Sequence, residues 1–114
     1  MEKLLLLTDS NFEKEVFESK TPVLVDFWAS WCPPCKVMEP IIQELAIELD
    51  NMVRIGKINV DQNPRIRTTF DISGVPTFIL FKDGRILKRW IGAYSKQQLI
   101  NMLQDAISNE IPGL

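Results

Sequence analysis

The chain has 114 residues, 46% apolar and 25% charged, with a net charge of −2 from 13 basic and 15 acidic side chains. That length favours one domain, 1–114, with a core that needs no metal or multiple disulfides, and the balanced charge leaves no footprint for nucleic acid or an anionic membrane. Two cysteines and no histidine exclude a four-ligand Cys/His zinc site within one chain and any Cys-His or Ser-His catalysis, so proton transfer falls to Asp, Glu, Lys, a thiol or water.

Met1-Glu2-Lys3 followed by Leu4 to Leu7 has the outline of a signal peptide. The apolar stretch is too short for one, and Thr8-Asp9-Ser10 ends it without a small-residue cleavage site. Leu4 to Leu7 is read as a first strand instead. No apolar run approaches the roughly 20 residues of a membrane span, and a cytoplasmic location is expected. Ser10 and Glu13 fit a capping box that opens a short helix through about Glu18, broken by Thr21-Pro22. Val23 to Trp28 is a continuous β-prone run, the pattern of a strand covered on both faces.

After the second cysteine, Val37, Met38, Ile41, Ile42, Leu45, Ile47 and Leu49 recur at helical spacing and predict a long helix to about Leu49, with Pro40 removing one hydrogen bond and kinking it. Val53 to Val60 reads as a strand, and Asn63-Pro64 as the start of a short helix. Thr77 to Phe81 is a strand, Asp83-Gly84 a hairpin turn, and Ile86 to Ile91 the returning strand. Ser95 and Gln98 form a second capping box before an amphipathic helix carrying Leu99, Ile100, Leu103, Ala106 and Ile107. A loose tail is expected over 108–114. The order β-α-β-α-β-α-β-β-α predicts the α/β class, with a mixed, mostly parallel sheet of about five strands flanked by four helices. No repeat, linker or low-complexity segment interrupts it.

The two cysteines stand in Trp31-Cys32-Pro33-Pro34-Cys35, between a buried strand and a helix. A thiol at a helix N-terminus sits beside unpaired N–H groups and the positive end of the helix dipole, and both favour the nucleophilic thiolate. Spacing of three residues brings Cys35 onto the same face, close enough for a disulfide. Cys32 is expected to be the exposed attacking thiol and Cys35 the resolving one. The plainer reading is a structural disulfide or two ordinary buried thiols.

Val25 to Lys36 resembles the active-site segment of the thioredoxin family. So do Lys57-Ile58-Asn59-Val60-Asp61-Gln62-Asn63-Pro64 and Gly74-Val75-Pro76-Thr77-Phe78. The similarity continues through Phe81-Lys82-Asp83-Gly84 and Gly92-Ala93, over about residues 3 to 107. The resemblance implies the thioredoxin fold and a protein-disulfide reductase. It implies that Asp26, which interrupts a buried run and should have a raised pKa, accepts a proton from Cys35, with Lys57 as its partner. The alternatives are an Asp26 tied down by backbone donors and a Lys57 that snorkels to water.

It further implies a cis bond at Val75-Pro76, in a loop over 74–77 whose Val75 backbone pairs with an extended substrate peptide. Trp31, Pro33, Pro34, Gly74, Val75, Pro76, Gly92 and Ala93 would form the substrate-docking surface. Gly92 as a simple turn, and Trp28 as core packing rather than a support of the active-site loop, stay open. No bound cofactor is implied. Reducing equivalents would come from NADPH through a thioredoxin-reductase-like flavoprotein, the substrates would be disulfide-containing proteins, and the protein a monomer.

The family usually has Gly-Pro between its cysteines, where this chain has Pro33-Pro34. Pro33 removes an N–H that would hold the thiolate, and the proline after it disfavours helical backbone at Pro33, so a shift at the helix start is expected. Pro-Pro also occurs in membrane-tethered or periplasmic thioredoxin-like reductases, whose anchor and insertions are not expected here. The rivals are an oxidase or isomerase on the same fold, a non-catalytic binding or chaperone-like subunit using the docking surface alone, and metal binding by a dimer that shares four thiolates.

Overall fold

The structure is a computed structural model that describes residues 3–110. Met1-Glu2 of the signal-like start and 111–114 of the expected tail lie outside the described residues. The elements follow in the predicted order: β1 (Leu5–Leu6), a short π-type helix (Glu13–Phe17), β2 (Val23–Trp28), α1 (Pro33–Glu48), β3 (Arg54–Asn59), α2 (Pro64–Thr69), β4 (Thr77–Lys82), β5 (Arg85–Ile91) and α3 (Lys96–Glu110). The sheet order is β1-β3-β2-β4-β5; β1, β3 and β2 run parallel, β4 runs antiparallel to β2, and β5 antiparallel to β4. Among the described residues no helix is long and apolar enough to cross a membrane.

The continuous apolar run of β2 has the covering on both faces that it requires. Val23, Val25 and Phe27 face a core with Phe12, Val16, Ile79 and Phe81, while Leu24 faces a second core with Met38, Ile42, Leu45, Leu99 and Leu103. Each fully buried side chain of this size stabilises by about 1.5–3 kcal/mol. In the first core Phe12 touches Phe17, Phe27, Phe70 and Phe81 at centroid distances of 5.6, 6.4, 5.4 and 5.7 Å, in edge-on or tilted geometry. The period-two alternation of a strand places Asp26 on the Leu24 side, towards α1. That placement sets up the site.

Four local expectations need correction. The first helix is not capped by Ser10 and Glu13. Thr8 N–H donates to Asn11 Oδ1 at 2.7 Å and Asn11 N–H to Thr8 Oγ1 at 3.3 Å, while Ser10 Oγ is engaged with Thr8 Oγ1 at 3.0 Å. The reciprocal box therefore sits two residues earlier, which lets Phe12 enter the core. Val37 and Ile47 are exposed; the buried stripe of α1 follows Cys35, Met38, Ile42 and Leu45, and the two side chains project off it. The strand predicted over Leu4 to Leu7 is shorter, Leu5–Leu6 in register with Gly56 and Lys57, with buried Leu4 and Leu7 flanking it and Leu7 N–H donating to the Lys57 carbonyl at 2.9 Å. Residues 108–110, assigned to the loose tail, belong to α3.

Other local signals hold. Ser95 N–H donates to Gln98 Oε1 at 2.8 Å and Gln98 N–H to Ser95 Oγ at 3.1 Å, the reciprocal box that opens α3. Asp83 and Gly84 both have positive φ, 53° and 77°, as a two-residue type I′ hairpin demands. α1, expected to kink at Pro40, runs through that residue as one helix. α2 starts at Pro64, but Asn63 makes no side-chain cap. Asp9 caps it from far along the chain: Ile66 N–H donates to Asp9 Oδ1 at 2.9 Å and Arg65 N–H to Oδ2 at 3.1 Å. Asp9 N–H in turn donates to Asn63 Oδ1 at 2.8 Å, and Arg65 Nη2 to the Asp9 carbonyl.

Candidate active site

β2 delivers the chain through Ala29-Ser30-Trp31 to Cys32, which is the N-cap of α1 in extended backbone, φ −96° and ψ 108°. Cys32 and Cys35 are joined as a disulfide with Cα atoms 5.3 Å apart. Cys35 N–H donates to Cys32 Sγ at 3.2 Å, so the sulfur takes the place a serine or aspartate oxygen takes at an ordinary N-cap. Pro33 and Pro34 occupy the first two helical positions. Neither has an N–H, so Cys35 supplies the first amide donor of the helix. The helix begins at Pro33. Fixed φ near the helical value suits both residues to the first turn.

The expectation of an exposed Cys32 is overturned: Cys32 is 2% exposed and Cys35 4%. The N-cap geometry turns the Cys32 sulfur back onto the helix end, and the Val75 carbonyl oxygen lies 3.6 Å from it. What faces solvent is the frame around the pair, with Trp31 63% exposed and Pro33 and Pro34 exposed beside it. The two sulfurs differ in their neighbours rather than in their exposure.

The second wall is the loop before β4. The Val75–Pro76 bond is cis. Thr77 Oγ1 donates to the Gly74 carbonyl at 2.6 Å. Gly92 N–H donates to the Pro76 carbonyl at 2.9 Å, tying the end of β5 to this loop. Gly92 has φ 108°, which an L side chain rarely adopts, so this turn calls for glycine. Ala93 beside it is exposed, whereas Pro76 is buried.

Behind the disulfide is a cavity of about 140 Å³, lined by Asp26, Cys35, Lys36, Glu39 and Lys57 among others. Asp26 is buried and its Oδ1 has no hydrogen-bond partner, so that oxygen is not held by a backbone donor. Burial pushes its pKa up to about 7, opposed by the Lys57 charge and reinforced by the Glu39 charge. Desolvation is the larger effect because burial strips most of the water from the charged form, while Lys57 acts through space. Lys57 stands opposite Asp26 in the β2–β3 register, and its Nζ lies 5.1 Å from the Trp28 ring centroid. The indole face therefore holds the ammonium by a cation–π contact, which gives Trp28 a place in the site.

Three residues enter the site without having been singled out as site residues. Trp31 Nε1 donates to Asp61 Oδ2 at 2.8 Å, and Arg67 Nη1 to Asp61 Oδ1 at 3.1 Å. Glu39, one turn beyond Cys35, reaches the Asp26 cavity. Only Glu39 leaves a signal in the sequence, its i+4 spacing from Cys35.

The thioredoxin family matches residues 3–105. A thioredoxin of Buchnera aphidicola subsp. Schizaphis graminum is 47% identical over 107 residues, covering 94% of this chain and 99% of that protein. A thioredoxin of Mycobacterium tuberculosis is 44% identical over 103 residues, covering 90% and 89%. A bifunctional thioredoxin reductase/thioredoxin of Mycobacterium leprae is 43% identical over 103 residues, covering 90% of this chain and 22% of that protein.

Proposed function

This chain belongs to the thioredoxin family and is a protein-disulfide reductase, and we propose that it divides the exchange unequally between Cys32 and Cys35. In the dithiol form the Cys32 thiolate attacks one sulfur of a substrate disulfide. A Cys32–substrate bond forms, the substrate S–S bond breaks, and the departing sulfur leaves as a thiolate that takes a proton from solvent. Cys35 then loses its proton to Asp26 and attacks the Cys32 sulfur. The second substrate thiolate is released, and the protein is left as the Cys32–Cys35 disulfide. Two electrons pass to the substrate.

The observation that carries this reading is the Cys35 N–H aimed at Cys32 Sγ at 3.2 Å. A hydrogen bond and the helix dipole both favour negative charge on that sulfur. The Asp26 step is supported by the cavity that Asp26 shares with Cys35, which has room for a bridging water, and by a pKa of about 7, suited to a proton acceptor near neutral pH. Lys57 moderates that carboxyl.

Trp31, Pro33, Pro34, Gly74, Val75, Pro76, Gly92 and Ala93 form the docking surface, and the Val75 backbone pairs with an extended substrate segment. The protein acts as a cytoplasmic monomer, one domain throughout, without a bound cofactor. NADPH supplies electrons through a thioredoxin-reductase-like flavoprotein; the Mycobacterium leprae protein named as both reductase and thioredoxin supports that pairing. Insulin reduction driven by dithiothreitol tests the reading. Cys32→Ser should lose the activity, and equal activity in that variant would sink it.

A further inference from the structure

The indole of Trp31 is 63% exposed, yet its N–H is anchored on Asp61 Oδ2 at 2.8 Å. Asp61 is held in turn. Its other oxygen accepts from Arg67 Nη1 at 3.1 Å, and its backbone N–H donates to Asn59 Oδ1 at 2.9 Å. Arg67 has a second engagement: its Nε donates to the Ile72 carbonyl at 3.3 Å, while Ile72 N–H donates back to the Arg67 carbonyl at 3.0 Å. Ile72 is buried and lies two residues before Gly74. One guanidinium therefore touches the support of the Trp31 wall and the root of the Gly74-Val75-Pro76 wall.

We propose that Arg67 is a positioning residue for substrate, a brace across the two walls of the docking cleft that fixes the Trp31 ring before a partner arrives. The planar fork suits this task, because it offers donors in different directions at fixed spacing, where a lysine ammonium is a point charge on a flexible stem. A ring ordered in advance loses less freedom on binding, so the brace acts on affinity for extended protein substrates rather than on sulfur chemistry. The proposal rests on the reading of Trp31 and the Gly74–Pro76 loop as the docking surface.

The test compares wild type with Arg67→Ala and Arg67→Lys, using insulin and the small disulfide of oxidised 2-mercaptoethanol, with dithiothreitol as reductant. KM for insulin should rise about threefold in both variants, the scale of a half-exposed ion pair, with kcat and the small-disulfide rate unchanged. Unchanged KM in both variants, an equal loss on the small disulfide, or full rescue by lysine would each overturn the brace. Hydrogen exchange at the Trp31 indole, read by 15N NMR, reports on the tether alone. Faster exchange in Arg67→Ala supports the brace and unchanged exchange overturns it. Unchanged insulin KM in Trp31→Ala would sink the docking reading instead, and the indole exchange would then decide the brace by itself.

Discussion

Asp61 Oδ2 accepts the Trp31 indole N–H at 2.8 Å, so the most exposed ring beside the disulfide has a set orientation. Asp61→Ala removes the acceptor while leaving the cysteines, the cavity and the helix cap in place. Its kcat/KM for insulin should fall about fivefold, corresponding to roughly 1 kcal/mol for a charged hydrogen bond at a partly solvated site. The thiolate content of Cys32, followed by its ultraviolet absorbance in the reduced protein, should be unchanged.

Asp26 gives stability an unusual pH dependence. Its pKa is about 7 in the folded chain against about 3.9 when unfolded. Between these values the unfolded chain has released its proton and the folded chain still holds it. Stability is therefore fully present below about pH 4, is lost as pH rises through about 7, and levels off above. Asp26→Asn removes that slope. In urea unfolding of the oxidised protein the variant should exceed wild type at pH 8, by a few kcal/mol at most, and the gap should close towards pH 4. A gap of the same size at both pH values would contradict the assignment.

Glu39 should set where that carboxyl titrates. Its charge raises the Asp26 pKa while Lys57 lowers it, and Lys36 is the other charged group lining the cavity. Glu39→Gln should move the Asp26 midpoint, and with it the acid limb of the reductase pH profile, to lower pH. Glu44→Gln makes the same change of net charge on the same helix, where Glu44 pairs with Lys96 instead. It should leave the midpoint in place; an equal displacement there would mean a general charge effect.

Pro33→Gly tests the departure from the family pattern. Glycine restores an N–H near the thiolate and frees the loop in the dithiol form, and both changes favour reduction. Releasing one proline costs about 0.4–1 kcal/mol, which converts to an upward shift of about 10–20 mV in the potential of the pair. Equilibration with glutathione measures it, and a downward shift would contradict the account.

Asp9 caps α2 from outside the helix, through the amides of Arg65 and Ile66. Asp9→Ala should cost about 1 kcal/mol, as loss of an ordinary N-cap does. For a domain of this size that lowers Tm by about 4–8 °C, measurable by calorimetry.

The elements of this fold were legible wherever their signals were local. The continuous apolar run of β2, the Asp83-Gly84 turn and the Ser95–Gln98 box each act within a few residues, and the structure contains each one. The Ser10–Glu13 box failed because Thr8 and Asn11 offered a competing box of similar local quality, and burial of Phe12, a tertiary effect, decided between them. Cysteine spacing located the disulfide, and the break in an apolar run marked Asp26. Asp61 and Arg67 were silent. Trp31 and Asp61 are 30 residues apart, and Asp9 and Ile66 are 57 apart, so their pairing exists only once the sheet has assembled. The exposure of Cys32 was misjudged because a sulfur at an N-cap bends back over the helix end.

The Asp9 cap also makes the front of the chain a handle on substrate recognition. Asp9 fixes the first turn of α2, and the last turn of that helix carries Arg67. A tag, fusion or truncation that pulls Asp9 out of place should therefore alter affinity for protein disulfides before it alters the redox pair, although no atom of Asp9 belongs to the cleft.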